Sequence, residues 1–113
     1  MAQTREISLV SRIYAGGFSG ERVVEVVTSD GSTHRVLAPR DYCWTLDSQP
    51  LDPEQPKLGD SMAGLVAARL LAKARDGSLV VTTPDGDVFS VRPDIMRDRP
   101  PKSEIPPNVP VGS

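Results

Sequence analysis

Apolar and polar residues alternate along this chain in short runs that end at glycine or proline. The first run, residues 7–14, places Ile7, Leu9 and Ile13 on one side, which is the period of two expected of a β-strand. Three glycines within residues 16–20 follow it, and glycine adopts backbone angles that end a strand. The pattern therefore predicts a strand followed by a loop.

The next pattern occurs twice, because residues 24–36 and 79–91 align without a gap. Each copy has an apolar β-branched run, a turn that ends in Asp-Gly and a second alternating run, which is typical of a β-hairpin. A three-residue loop with glycine in its last position keeps the apolar side chains of each copy on one face. This loop predicts five cross-strand pairs: Val24–Val36, Glu25–Arg35, Val26–His34, Leu79–Val91 and Val81–Phe89.

Residues 61–75 follow a helical period instead. Seven apolar side chains share one half of a helical wheel: Met62, Ala63, Val66, Ala67, Leu70, Leu71 and Ala74. Asp60 suits the N-cap of this helix and Gly77 suits the position just after its end. We expect a helix here that packs on the sheet, with Leu65 on its polar side facing a partner or another element.

Prolines mark the ends of these segments. Pro39 and Pro93 each follow a hairpin, and the strand–Pro–x–x–apolar pattern at these two places resembles that of SH3-like barrels. Residues 47–59 carry a proline at every third position from 50 to 56, which predicts an extended linker. Five prolines and few apolar residues predict that residues 97–113 form a disordered tail.

Together these patterns predict a single α+β domain over residues 1–96. We expect a small antiparallel sheet or a partly open SH3-like barrel of about five strands, built on two similar β-hairpins with one helix packed on it. The order hairpin–helix–hairpin also allows an intertwined homodimer, because one hairpin half alone is too small to fold.

Composition narrows the range of functions. The chain has 113 residues, a formal net charge of −2 and a pI of about 5.3, so its overall charge does not attract nucleic acid or anionic membranes. It lacks the run of about 18 apolar residues that a membrane-spanning helix needs. With a polar N-terminal segment as well, the sequence predicts a cytoplasmic protein without a membrane partner.

Catalytic residue types are scarce. Cys43 is the only cysteine and His34 the only histidine, so an intrachain disulfide and a cysteine zinc cluster are excluded. A nucleophilic Cys43–His34 pair oriented by Asp41 is one alternative, but the spacing does not enforce contact, and the repeat aligns His34 with the hairpin residue Phe89. The turn aspartates lack the pattern of a calcium loop. We therefore expect no enzyme, no cofactor and no metal.

A non-enzymatic protein-interaction or assembly module fits these features best. Its candidate anchors for a protein partner are Tyr42, Trp44 and Leu65, because large side chains dominate binding energy. The alternative is a small barrel that binds nucleic acid through a local basic patch. The candidate residues for that patch are Arg12, Arg22, Arg35, Arg40, Arg69 and Lys73.

Overall fold

The computed structural model describes residues 5–18 and 20–100. Their eight strands are β1 (Arg5–Ala15), β2 (Glu21–Val27), β3 (Thr33–Pro39), β4 (Cys43–Thr45), β5 (Ser61–Lys73), β6 (Leu79–Thr82), β7 (Val88–Val91) and β8 (Met96–Asp98). They form one antiparallel sheet in the order β3-β2-β1-β5-β6-β7, with β4 beside β5 and β8 beside β1. The sheet curls into a half-barrel.

The two longest strands, β1 and β5, form the centre of the sheet. They pair over ten residues, from Arg5↔Leu70 to Tyr14↔Ser61. Each half of the chain contains a long strand, a hairpin, a single 3₁₀ turn and a short strand. The short strands are exchanged, because β4 pairs with the long strand of the second half and β8 with that of the first. The two halves are thus intertwined within one chain.

Both predicted hairpins are confirmed, including the five cross-strand pairs. In the first, the N–H of Thr28 donates to the carbonyl of Ser32 at 2.8 Å, and Gly31 has a φ of 89°. In the second, the N–H of Thr83 donates to the carbonyl of Asp87 at 3.1 Å. Both loops therefore have three residues, and the positive φ explains the glycine in the last position.

The predicted helix over residues 61–75 is wrong, because Ser61–Lys73 is strand β5. Helix propensity is a weak preference, and pairing along β1 overrides it. Residues 64–68 are all buried, so this central strand is covered on both faces and lacks the alternation by which strands are recognised. Gly77 closes a third hairpin of the same kind, with the N–H of Ala74 donating to Ser78 at 2.8 Å.

The predicted α+β class with about five strands is therefore wrong, because the described residues form a nearly all-β fold with eight strands. Within residues 5–18 and 20–100 the only helical segments are two 3₁₀ turns, Arg40–Tyr42 and Pro93–Ile95. No helix in these residues is long and apolar enough to cross a membrane. From Pro101 onward, the predicted tail lies outside the described residues. Residues 97–98 also fall within the predicted tail, but they are part of β8.

The hydrophobic core lies on the inner, concave face of the sheet. It consists mainly of one side of each strand: Ile7, Leu9, Ile13, Val24, Val26, Val36, Ala38, Cys43, Leu51, Val66, Ala68, Leu79, Val81 and Val91. Leu51 comes from the proline-rich segment, which therefore contributes to the core as well as linking β4 to β5. The opposite, outer face carries the polar residues of β1–β3, and one part of it contains the cleft described next.

Candidate functional site: a cleft beside strand β5

Strand β5 changes neighbours along one of its edges. Residues 64–66 pair with β4, and the pairing with β6 begins at Arg69. Ala67 and Ala68 lie between these two paired stretches and line a cleft of about 420 Å³, which we call the β5 cleft.

Two segments distant in sequence form the walls of the β5 cleft. Tyr42, from the first 3₁₀ turn, is 47% exposed and lies on one side. Thr82, Thr83 and Pro84, at the end of β6 and the start of the following turn, contribute the other. Ile95 occupies the position equivalent to Tyr42 in the second 3₁₀ turn and packs against the core. The fold can therefore partly bury a side chain at this position, as it does for Ile95 in the second half. The exposed side chain of Tyr42 is found in the first half alone.

Three charged residues also line the β5 cleft. The guanidinium of Arg99 donates to the carbonyls of Ile7 at 2.8 Å and Ala68 at 2.7 Å, and lies 3.7 Å from the carboxylate of Glu6. Arg69 is exposed, and its guanidinium has no hydrogen bond or ion pair with any residue that the structure describes. The cleft therefore contains one anchored cation, one available cation and one carboxylate.

The predicted protein-binding anchors have different environments. Tyr42 lines the β5 cleft, as described above. Trp44 and Leu65 are cross-strand partners in β4 and β5, so the structure brings these two together. Trp44 is half-buried, but Leu65 is only 3% exposed. The position expected for Leu65, on the polar side of a helix, is wrong because β5 is a central strand.

Two of the predicted nucleic-acid-binding arginines hold the proline-rich segment in place. Arg22 is 2% exposed and donates to the carbonyls of Glu21 at 2.7 Å, Pro53 at 2.8 Å and Gln55 at 2.7 Å. Burial lowers the pKa of Arg22, with the charge of Arg40 a smaller cause. Arg40 in turn donates to the carbonyl of Leu51 at 2.8 Å.

The remaining basic candidates are spread along the sheet. Arg12 donates to the hydroxyl of Ser61 at 3.0 Å, and Arg35 donates to Glu25 at 2.6 Å. Arg12 is opposite Ala63, whereas Arg69 is six residues further along β5, or roughly 20 Å at the rise of a strand. Lys73 lies at the far end of the same strand. The structure therefore separates these side chains instead of gathering all six into one patch.

Arg35, Glu25 and Tyr14 form a small network on the outer face of the first hairpin. The hydroxyl of Tyr14 donates to the second oxygen of Glu25 at 3.0 Å. The hydrogen bonds from Arg35 and Tyr14 lower the pKa of the Glu25 carboxyl, and the bond to Glu25 raises the pKa of Tyr14. Arg35 is thus already paired with an acid.

Cys43 and His34, the nucleophilic alternative, have separate partners. The buried thiol of Cys43 donates to the carbonyl of Pro39 at 3.7 Å, and burial raises its pKa to about 12, which disfavours the reactive thiolate. The Nε2 atom of His34 lies 2.9 Å from a carboxylate oxygen of Asp87. Among the residues that the structure describes, His, Cys, Asp and Glu side chains form no group of three that could hold a metal ion.

Sequence reasoning missed most of the β5 cleft. The helical wheel places Ala67 on the apolar side of a helix, and Arg99 falls within the predicted tail. The available signal was Asp76-Gly77, which repeats the Asp-Gly of both predicted hairpins and predicts a third turn there. A hairpin at this point requires residues before it to form a strand, which would have placed β5 correctly.

Comparison with known protein families, characterised proteins and solved structures finds no match for this chain.

Proposed function

We propose that this chain is a non-enzymatic protein-interaction module that binds a partner protein in the β5 cleft. The observation that carries the proposal is that exposed Tyr42 and unpaired Arg69 line the same cleft. Tyrosine and arginine are enriched among the residues that dominate binding energy at protein interfaces. A cleft of about 420 Å³ is also within the size range of known ligand sites.

The chemistry of the β5 cleft favours binding over catalysis. Neither cysteine nor histidine is among its described lining residues, and its one carboxylate, Glu6, lies near Arg99. General acid–base and nucleophilic mechanisms need such a group beside the substrate with a second group to activate it. The hydroxyls, the guanidinium groups and the aromatic ring of this cleft suit recognition instead.

The test is affinity capture from a lysate of the source cells with the full-length tagged protein, with and without nuclease treatment. Tyr42→Ala and Arg69→Glu alter the cleft. Phe18→Ala, at another exposed aromatic residue, and Arg12→Glu are the matched controls away from it. We expect a protein partner that survives nuclease treatment, is lost with both cleft variants and is retained with both controls.

Two outcomes would contradict the proposal. A partner retained by both cleft variants would place the interaction elsewhere on the surface. Capture that disappears after nuclease treatment, and that weakens steeply with added salt, would favour the nucleic-acid alternative.

A further inference from the structure

We infer further that the β5 cleft recognises a short peptide segment in which an acidic side chain stands beside an apolar one. This inference rests on the proposed function and specifies the chemistry of the partner. It follows from two features of the cleft, which are its unequal pair of cations and the uncharged side chains of Tyr42, Ala67 and Pro84 beside them.

Arg69 is the cation available to a ligand. Arg99 already donates to two backbone carbonyls and lies near Glu6, so its charge and its donors are largely engaged. The guanidinium of Arg69 forms no hydrogen bond or ion pair within the described residues, although Glu6 is its cross-strand neighbour in β1. A guanidinium in this state matches a carboxylate, with which it can form two parallel hydrogen bonds. On a protein with a formal net charge of −2, this local positive charge also gives the cleft a sign opposite to that of the whole molecule.

The uncharged part of the lining accounts for the apolar neighbour. Ala67, Tyr42 and Pro84 line the same space with uncharged side chains, whereas the side chain of Ala68 belongs to the core on the opposite face. An apolar side chain placed there exchanges water for contact with carbon, which is favourable in proportion to the area covered. The hydroxyl of Thr82, without a hydrogen-bond partner in the described part of the chain, remains for the peptide backbone.

The experiment is an NMR titration of the uniformly ¹⁵N-labelled full-length protein with three synthetic peptides. The first is N-acetyl-Gly-Ser-Leu-Glu-Ser-Gly-amide, and the second carries Gln in place of Glu. The third, N-acetyl-Gly-Ser-Gly-Ser-Leu with a free C-terminus, presents its carboxylate at the chain end. The amides of Ala67, Arg69 and Thr82 report on the cleft.

We expect the Glu peptide to shift these amides saturably and to bind about five- to tenfold more tightly than the Gln peptide, as a charge-assisted pair requires. Arg69→Gln should remove that difference, whereas Arg12→Gln should preserve it. Both variants alter exposed arginines, so the fold is retained.

Several results would overturn the inference. Equal binding of the Glu and Gln peptides would do so, as would binding unaffected by Arg69→Gln or no binding of any peptide. Tighter binding of the free C-terminal peptide would assign the site to a terminal carboxylate instead. If cleft variants lose a protein partner while the Glu and Gln peptides bind alike, the proposed function stands and only the acidic specificity fails.

Discussion

The Nε2 atom of His34 lies 2.9 Å from Oδ2 of Asp87, and this contact joins the first hairpin to the second. The rings of His34 and Phe89 also pack with their centroids 4.6 Å apart. Nearby, the N–H of Ser29 donates to the carbonyl of Ser90 at 2.8 Å. Because β3 and β7 are the two ends of the main strand order, these contacts draw the ends of the sheet together.

Removal of His34 should destabilise the protein more than removal of Asp87. His34→Ala loses both the hydrogen bond to Asp87 and the ring contact with Phe89, with an expected cost of about 1–2 kcal/mol, whereas Asp87→Ala loses only a hydrogen bond between two partly exposed side chains, worth about 0.5–1 kcal/mol. Urea unfolding of both single variants and the double variant gives the coupling energy. Additive effects in this cycle would show that the pair contributes nothing.

Gly64→Ala should destabilise the fold strongly. A Cβ atom at this position would lie 2.5 Å from both the Cδ1 atom of Ile13 and the carbonyl oxygen of Trp44. The backbone oxygen cannot rotate away, so we expect a loss of about 1–3 kcal/mol in the free energy of unfolding. Gly20→Ala is the control, because its Cβ would meet nothing within 4 Å. Equal stability of the two variants would contradict the conclusion that Ile13 and Trp44 leave no room for a Cβ atom at Gly64.

Acid should weaken the first hairpin through Asp30. Hydrogen bonds from Ser32 and Thr28 lower the pKa of this carboxyl from 3.8 to about 2. Because the folded pKa is the lower one, the stabilisation is present above about pH 4 and is lost as the pH falls towards 2. Asp30→Asn should flatten this part of the melting-temperature profile. The carboxylate of Asp94 accepts no hydrogen bond within the described residues, so the control variant Asp94→Asn should leave the profile unchanged.

Arg22→Met should cost about 2–3 kcal/mol in the free energy of unfolding, because it leaves three partly buried carbonyls without their donor. Arg22→Lys should restore only part of this loss, since one ammonium group cannot reproduce the fork of the guanidinium. Arg35→Ala removes the exposed ion pair with Glu25 and should cost about 0.2–1 kcal/mol, which is the range typical of surface ion pairs. Chemical denaturation of the three variants tests this ranking.

The hairpins could be predicted because their signals are local. Asp-Gly in the turn sets the loop, and the alternation on either side selects the register, so Val24–Val36 and Leu79–Val91 follow from a few adjacent residues. The pairing of Glu25 with Arg35 follows from the same register.

Strand β5 is harder to recognise, because Asp76-Gly77 is its one local signal and its main pairing is with β1, from Tyr14↔Ser61 to Arg5↔Leu70, about half the chain away in sequence. Alanine and leucine favour a helix in isolation, and burial on both faces removes the alternation. The β5 cleft is harder still. Tyr42, Ala67, Pro84 and Arg99 come from four separate segments, and only the completed sheet brings them together.

The exchange of short strands between the halves has a consequence for synthesis on the ribosome. After the first half has emerged, β4 has no strand to pair with, because β5 has not yet been made. Likewise, Ile7 and Leu9 in β1 lack their pairing partners in β8 until the end of the second half has been made. Neither half can therefore mature while the other is missing, and the nascent chain presents apolar strand edges until nearly all of the domain is available. Such a chain acquires its native order late and depends on protection from aggregation until then.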